Sequence, residues 1–158
     1  MAANVLTLEE LLPRLGRFDR LMGLDIGTKT IGLALSDVER RLASPLDTIR
    51  RTRFSADAAS LLKRAAEFQA AALVVGLPLN MDGSEGPRVQ STRAFVRNLP
   101  DGVLVSYWDE RLSTAAVTRE LIAQDASRAK RAEVVDRMAA AYILQGALDR
   151  LARIATAK

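Results

Sequence analysis

An alternation of large and small residues near the start of the chain predicts paired strands. In residues 30–36, large apolar side chains at every second position alternate with small ones, and residues 21–27 form a similar run before them. The three residues between these runs, 27–29, are typical of a tight hairpin turn. A third strand is predicted over 42–49, with Pro45 at an edge or a bulge. The chain is therefore predicted to open with an antiparallel meander.

After residue 53 the pattern changes to alternating helices and strands. Apolar residues recur at helical spacing through 58–68, and the apolar run 71–75 predicts a buried strand after that helix. The remaining predicted elements are a helix from Pro87, a strand over 103–108, a helix from Ser113 to about residue 123 and a last helix through Arg150. The order βββαβαβαα predicts an α/β fold, in which a mixed five-stranded sheet with three antiparallel strands first is flanked by helices.

The length and hydrophobic content suit one compact domain. The chain has 158 residues, of which 49% are apolar. We predict a single domain over 21–152, an N-terminal extension over 1–20 and a tail over 153–158. No apolar run reaches bilayer length, and the N-terminus lacks the blocks of a signal peptide, so we expect a cytoplasmic protein without membrane contact.

The composition narrows the chemistry that the chain can perform. It contains neither cysteine nor histidine, which excludes the usual zinc sites, thiol nucleophiles and Ser-His-Asp triads. Catalysis must then use carboxylates, lysine, tyrosine, hydroxyl groups or a bound metal. The net charge of +4 and a pI near 10.0 suit a polyanionic partner, although many basic domains bind none.

Asp25 is the first candidate for chemistry. In strand register it lies on the face opposite Met22, Leu24 and Ile26, within an otherwise apolar run. A buried carboxylate persists only when it is paired or binds a metal, which favours a functional role. A salt bridge, or an aspartate that initiates the hairpin, is the alternative. Gly27 leaves room beside the acid for the close approach of a phosphate.

Glu110 is the second candidate, because it directly follows a predicted strand, where acids face the crevice at the end of a sheet. Asp109 could equally be the ligand, and both could be solvated loop charges. Trp108, just before them, is predicted to pack in the core rather than to stack on a base.

Asp136 is the third candidate. It shares a face of the last helix with Ala139, Ala140 and Ile143, which stand three, four and seven residues after it. Alanines allow a helix to approach a sheet closely, which would bring Asp136 near the strand ends. The alternative is that Asp136 is an exposed acid near the helix N-terminus, where the helix dipole favours negative charge. Carboxylates from a first strand, a later strand end and a last helix can converge on one or two Mg²⁺ ions. Such ions hydrolyse phosphodiesters without histidine.

Basic residues accompany these acids in the sequence and could contact a phosphate backbone without reading its bases. Lys29 follows the strand of Asp25, Arg111 follows Glu110, and one predicted helix carries Arg88, Arg93 and Arg97. For each cation alone, a solvated surface is the more ordinary explanation.

Four segments in order resemble the YqgF family, small bacterial RNase H-like proteins assigned to Holliday junction resolution or to pre-16S rRNA maturation. The segments are 24–32 (LDIGTKTIG), 75–83 (VGLPLNMDG), 109–114 (DERLST) and 135–145 (VDRMAAAYILQ). The resemblance spans most of 21–148. The first twenty residues match nothing in the pattern, and Ala139 stands where a related resolvase group carries a further acid.

The resemblance implies an RNase H-like nuclease, with Asp25, Glu110 and Asp136 as catalytic residues and as ligands of Mg²⁺ or Mn²⁺. Its central motif favours substrate positioning or backbone packing, and we assign substrate positioning to Lys29, Asn80 and Arg111. The leading hypothesis is an endonuclease that processes the 5′ end of pre-16S rRNA in ribosome biogenesis, acting as a monomer or homodimer. The alternatives are a Holliday junction resolvase of DNA repair and a non-catalytic rRNA-binding assembly factor. An actin-like ATPase would need a much longer chain.

Overall fold

A mixed sheet lies at the centre of the protein, whose computed structural model describes residues 4–112 and 128–157, with the backbone alone for 128–135. Six strands are described, in the spatial order β1-β6-β5-β2-β3-β4. The strands are β1 Asn4–Val5, β2 Arg20–Ile26, β3 Thr30–Ser36, β4 Ala43–Arg50, β5 Ala70–Leu77 and β6 Leu104–Asp109. The helices are α1 Leu8–Leu11, α2 Phe54–Glu67, α3 Pro87–Arg97 and α4 Arg128–Thr156, with short 3₁₀ turns at Leu12–Arg14 and Glu110–Leu112.

The sheet confirms the predicted α/β class and its opening meander. Strands β2, β3 and β4 are antiparallel neighbours, whereas β5 and β6 run parallel to β2. The predicted count of five strands was wrong, because β1 pairs in parallel with β6 as a sixth strand. A strand of two residues is too short to show the alternation from which the other strands were predicted. The predicted helix from Ser113 lies outside the described residues.

Helices cover both faces of the sheet and separate two hydrophobic clusters. On one face α4 lies across β2, β3 and β4, and a side chain at Gly23 would meet the Ala140 carbonyl oxygen at 2.7 Å. On the other face α2 and α3 pack over Met22 and Leu24. Asp25 alternates with these residues, so it faces α4. Helix α4 can lie this close to the sheet because the strand residues that it contacts, such as Gly23, are glycines and have no side chain.

The first described residues pack against the body of the domain. Thr7 begins α1 with a capping box, in which its hydroxyl accepts a hydrogen bond from the Glu10 amide and the Glu10 carboxylate accepts one from the Thr7 amide. Leu8 and Leu11 are buried in the cluster formed with α4. At the other end, α4 continues to Thr156, six residues beyond its predicted end. None of the helices within the described ranges is long and apolar enough to span a bilayer.

Candidate active site

Asp25 lies near the end of the central strand β2 and is 1% exposed. Its direct partner on β3 is Gly32. On the other side, Leu24 pairs with Val75 of β5, so the neighbour one step further along is Gly76. Both strands that flank Asp25 therefore carry a glycine beside it, and the missing side chains allow α4 to pack closely on this face, with Ile143 over Gly76.

Glu110 approaches the same face from the end of β6. It begins the 3₁₀ turn after the strand and is 5% exposed, and its Oε2 atom lies 3.1 Å from where a Cβ atom of Gly76 would stand. Asp109 is engaged differently, because Arg111 donates to both of its oxygens, with Nη2 at 2.7 Å from Oδ2 and Nε at 3.1 Å from Oδ1. The structure thus distinguishes two acids between which the sequence left the choice open.

Asp136 enters from above, on α4. Its backbone packs directly on Gly32, and its Oδ2 atom lies 3.6 Å from where a Cβ atom of Gly27 would stand. The Thr30 hydroxyl donates a hydrogen bond to this same Oδ2 atom and so orients the carboxylate. As predicted, Ala139 and Ala140 on the same helix face are buried. Thr30 was not predicted from the sequence, because its partner lies 106 residues away in the chain.

The three acids therefore share one face of one end of the sheet. Adjacent strands are about 4.8 Å apart, so Glu110 above Gly76 and Asp136 above Gly32 both lie about one strand away from Asp25. Carboxylate oxygens are the ligands that Mg²⁺ and Mn²⁺ prefer, so the three side chains fit a hard divalent ion in chemical type. Within residues 4–112 and 128–157, no three acidic side chains are already drawn together as a metal-binding group.

Two arginines donate hydrogen bonds to backbone carbonyl oxygens where β2 ends. Arg88, from α3, donates through Nη2 to the Ile26 carbonyl oxygen at 3.3 Å, and the same nitrogen lies 3.6 Å from Oδ1 of Asp25. Arg51 donates through Nη1 to the Gly27 carbonyl oxygen at 2.6 Å. These contacts join residues that are distant in sequence, so no local pattern indicated them.

The predicted positioning residues surround this end of the sheet. Lys29 is exposed in the β2–β3 turn. Asn80 donates through its side chain to the Ser84 hydroxyl at 3.0 Å, and Arg111 donates to the Met81 carbonyl oxygen at 3.2 Å, so both shape the loop after β5. Their roles toward a substrate stay predictions.

The contact between Asp109 and Arg111 stabilises the charged form of both side chains. The hydrogen bonds from the Arg111 guanidinium lower the pKa of Asp109, and the hydrogen bonds to Asp109 raise the pKa of Arg111. Both groups therefore stay charged at neutral pH, and Arg111 is committed to a partner in the protein.

Comparisons with known proteins identify the family of this chain. A family model described as "RuvX: Holliday junction resolvase" matches residues 19–150. A protein of Methylocella silvestris is 68% identical over 98% of this chain and 97% of its own length. A protein of Beijerinckia indica is 70% identical over 96% of this chain and 93% of its own length. Both are named "Putative pre-16S rRNA nuclease".

Among solved structures, Thermus thermophilus RuvC in complex with a Holliday junction substrate aligns with a TM-score of 0.49 and 15% identity, over 84% of this chain and 95% of that one. The sequence-based prediction of a nuclease, a hydrolase of phosphodiester bonds, is confirmed by the family match and the relatives. The chain belongs to the RuvX/YqgF family.

Proposed function

We propose that this protein is a metal-dependent endonuclease that cleaves precursor 16S ribosomal RNA in the cytoplasm during maturation of its 5′ end. The observation that carries the proposal is the placement of Asp25, Glu110 and Asp136 on one face at one end of the sheet, where α4 packs closely over Gly32 and Gly76. The names of the relatives from Methylocella silvestris and Beijerinckia indica support precursor 16S rRNA as the substrate.

The three acids would hold Mg²⁺ or Mn²⁺. An ion bound there would supply a water nucleophile at neutral pH and stabilise the charge on the leaving oxygen. Other residues of the protein position the groups around the ion. Thr30 keeps the Asp136 carboxylate turned toward the sheet, and Arg51 fixes the turn after Asp25 through the Gly27 carbonyl. Positioning of this kind matters because reacting groups must be held within a fraction of an ångström.

A second candidate is cleavage of branched DNA, which the description of the matching family favours. The two functions share the phosphodiester chemistry and differ in what surrounds the bond. Cutting a four-way junction symmetrically would require a symmetric dimer, whereas a monomer suffices to trim a ribosomal precursor.

Cleavage of both substrates in parallel tests the proposal. Labelled precursor 16S RNA and a labelled four-way DNA junction are incubated with the protein in Mg²⁺, in Mn²⁺ and in EDTA. We expect metal-dependent cutting of the RNA at its 5′ flank, and loss of that cutting in Asp25→Asn. Symmetric cutting of the junction alone would establish the second candidate. Tight RNA binding without any cutting would instead indicate an assembly factor.

A further inference from the structure

Arg88 contacts the most deeply buried of the proposed catalytic acids while its own side chain remains open to solvent. The side chain of Asp25 is 1% exposed, whereas that of Arg88 is 41% exposed. One nitrogen, Nη2, makes both of the contacts described above, to Asp25 and to the Ile26 carbonyl. A guanidinium has five N–H donors, so the contacts made within the described residues use a small part of its capacity.

Two other arginines, Arg93 and Arg111, form much closer ion pairs. Arg93 donates to both oxygens of Glu85, each at 2.9 Å, and Arg111 grips Asp109 in the same forked manner. Charge-assisted hydrogen bonds between such groups measure about 2.7–2.9 Å. The 3.6 Å separation of Arg88 from Asp25 is longer than any of these and engages a single nitrogen.

A positive charge beside the three acids would favour the binding of a phosphate there. A nucleic acid that approaches three carboxylates brings further negative charge to the same end of the sheet, and a nearby cation lowers the cost of bringing its phosphate close. Arg88 supplies such a cation within 4 Å of Asp25. Arginine also matches phosphate geometry, because two parallel N–H groups can bind two phosphate oxygens.

We propose that Arg88 is a substrate-positioning residue, whose guanidinium binds a backbone phosphate of the RNA beside the bond that is cut. In the absence of RNA it rests against Asp25 and the end of β2. The proposal deepens the proposed function and rests on it for the identity of the substrate. The binding chemistry itself concerns any phosphodiester backbone, so it is measured separately from cleavage.

Binding of a short fluorescent single-stranded RNA from the 5′ flank of 16S rRNA, followed by anisotropy in EDTA over a range of salt concentrations, tests this role. Arg88→Gln is compared with Arg97→Gln, which removes the same charge from the same helix about 13 Å further along its axis. We expect Arg88→Gln to weaken binding about tenfold, the loss of one hydrogen bond to a charged group. The slope of log affinity against log salt should fall by about 0.7, the value for one lost phosphate contact on a single strand. Arg97→Gln should leave both quantities near the wild-type values.

Repeating the comparison in the Asp25→Asn background separates a direct contact from an indirect one. If Arg88 binds phosphate, Arg88→Gln weakens binding equally in this background. If Arg88 acts only by holding Asp25, its effect disappears once the carboxylate is neutral, and the proposal is overturned. Equal effects of Arg88→Gln and Arg97→Gln, or no binding of the RNA by the wild type, would also overturn it. Thermal melting of each variant identifies any loss of folded protein.

Cleavage assays on the same proteins keep the two proposals apart. A wild type that cuts RNA, together with normal binding by Arg88→Gln, would uphold the nuclease and reject this role for Arg88. A wild type that binds RNA through Arg88 but cuts nothing in Mg²⁺ or Mn²⁺ would do the reverse. If Arg88 positions the substrate, Arg88→Lys should raise KM and recover part of the salt slope, because it restores the charge without the fork.

Discussion

The contact between α4 and the sheet at Gly32 offers a severe test of how the site is built. A Cβ atom at this position would lie 2.8 Å from the amide nitrogen of Arg137 and closer still to the carbonyl group of Asp136. These are backbone atoms, so no side-chain rotation can relieve the clash. In Gly32→Ala the helix must move away from β3, and the Asp136 carboxylate moves with it.

The expected cost can be sized from that movement. Relieving the contact requires α4 to retreat by about 1 Å, and a displacement of that size in a catalytic group can cost about 100-fold in rate. Inserting a methyl group into a closely packed contact also destabilises a protein by about 1–3 kcal/mol. We therefore expect Gly32→Ala to fold with a reduced free energy of unfolding and to cleave RNA about 100-fold more slowly.

Urea unfolding and single-turnover cleavage of precursor 16S RNA measure the two effects, at a temperature where the variant is folded. Gly86→Ala is the matched control, because a Cβ atom there would meet nothing nearer than the Asn80 side chain at 3.7 Å. It should keep its cleavage rate. If Gly32→Ala retained both wild-type stability and wild-type cleavage, the close seat of α4 on β3, and with it the position of Asp136, would be refuted.

Three further changes address other contacts. Thr30→Val should slow cleavage with little change in melting temperature, because it removes the hydroxyl that orients Asp136, and Thr30→Ser should restore the rate. Leu11→Ala should lower the free energy of unfolding by about 2–5 kcal/mol in urea titrations, whereas Leu42→Ala, at an exposed position, should change it by less than about 0.5 kcal/mol. Backbone amides in the β3–β4 turn lower the pKa of Asp37 below its ordinary 3.8, so the negative charge stabilises the fold above that pH. The melting temperature of Asp37→Asn should therefore fall below wild type at pH 7 and converge with it as the pH falls below 3.8; an unchanged gap at pH 3 would contradict this account.

Local patterns were sufficient to predict the strands and the face of Asp25. The alternation through β3 and the apolar run before Gly76 follow from the two-residue repeat of a strand, which any half-buried or buried strand must satisfy. The same repeat placed Asp25 opposite Met22 and Leu24, and the structure confirms this. Trp108 packs in the core at 8% exposure, as predicted.

What the sequence could not provide is the set of contacts between distant segments. Glu110 and Asp109 are adjacent acids, and only the turn after β6 decides that Asp109 meets Arg111 while Glu110 points toward Gly76. Likewise, Arg88 reaches Ile26 across 62 residues. Such pairs depend on how strands and helices pack, so the periodic pattern of apolar residues does not predict them.

Cleavage of precursor 16S RNA by the wild type and by four variants, each measured over a range of Mg²⁺ concentrations, tests whether the three acids bind a metal that is needed for catalysis. Asp25→Asn, Glu110→Gln and Asp136→Asn each remove one proposed ligand, and Asp109→Asn removes the neighbouring acid that pairs with Arg111. We predict that cutting requires the metal, is lost in the first three variants and persists in Asp109→Asn. Cutting by the wild type in EDTA, or full activity in any of the first three variants, would contradict it.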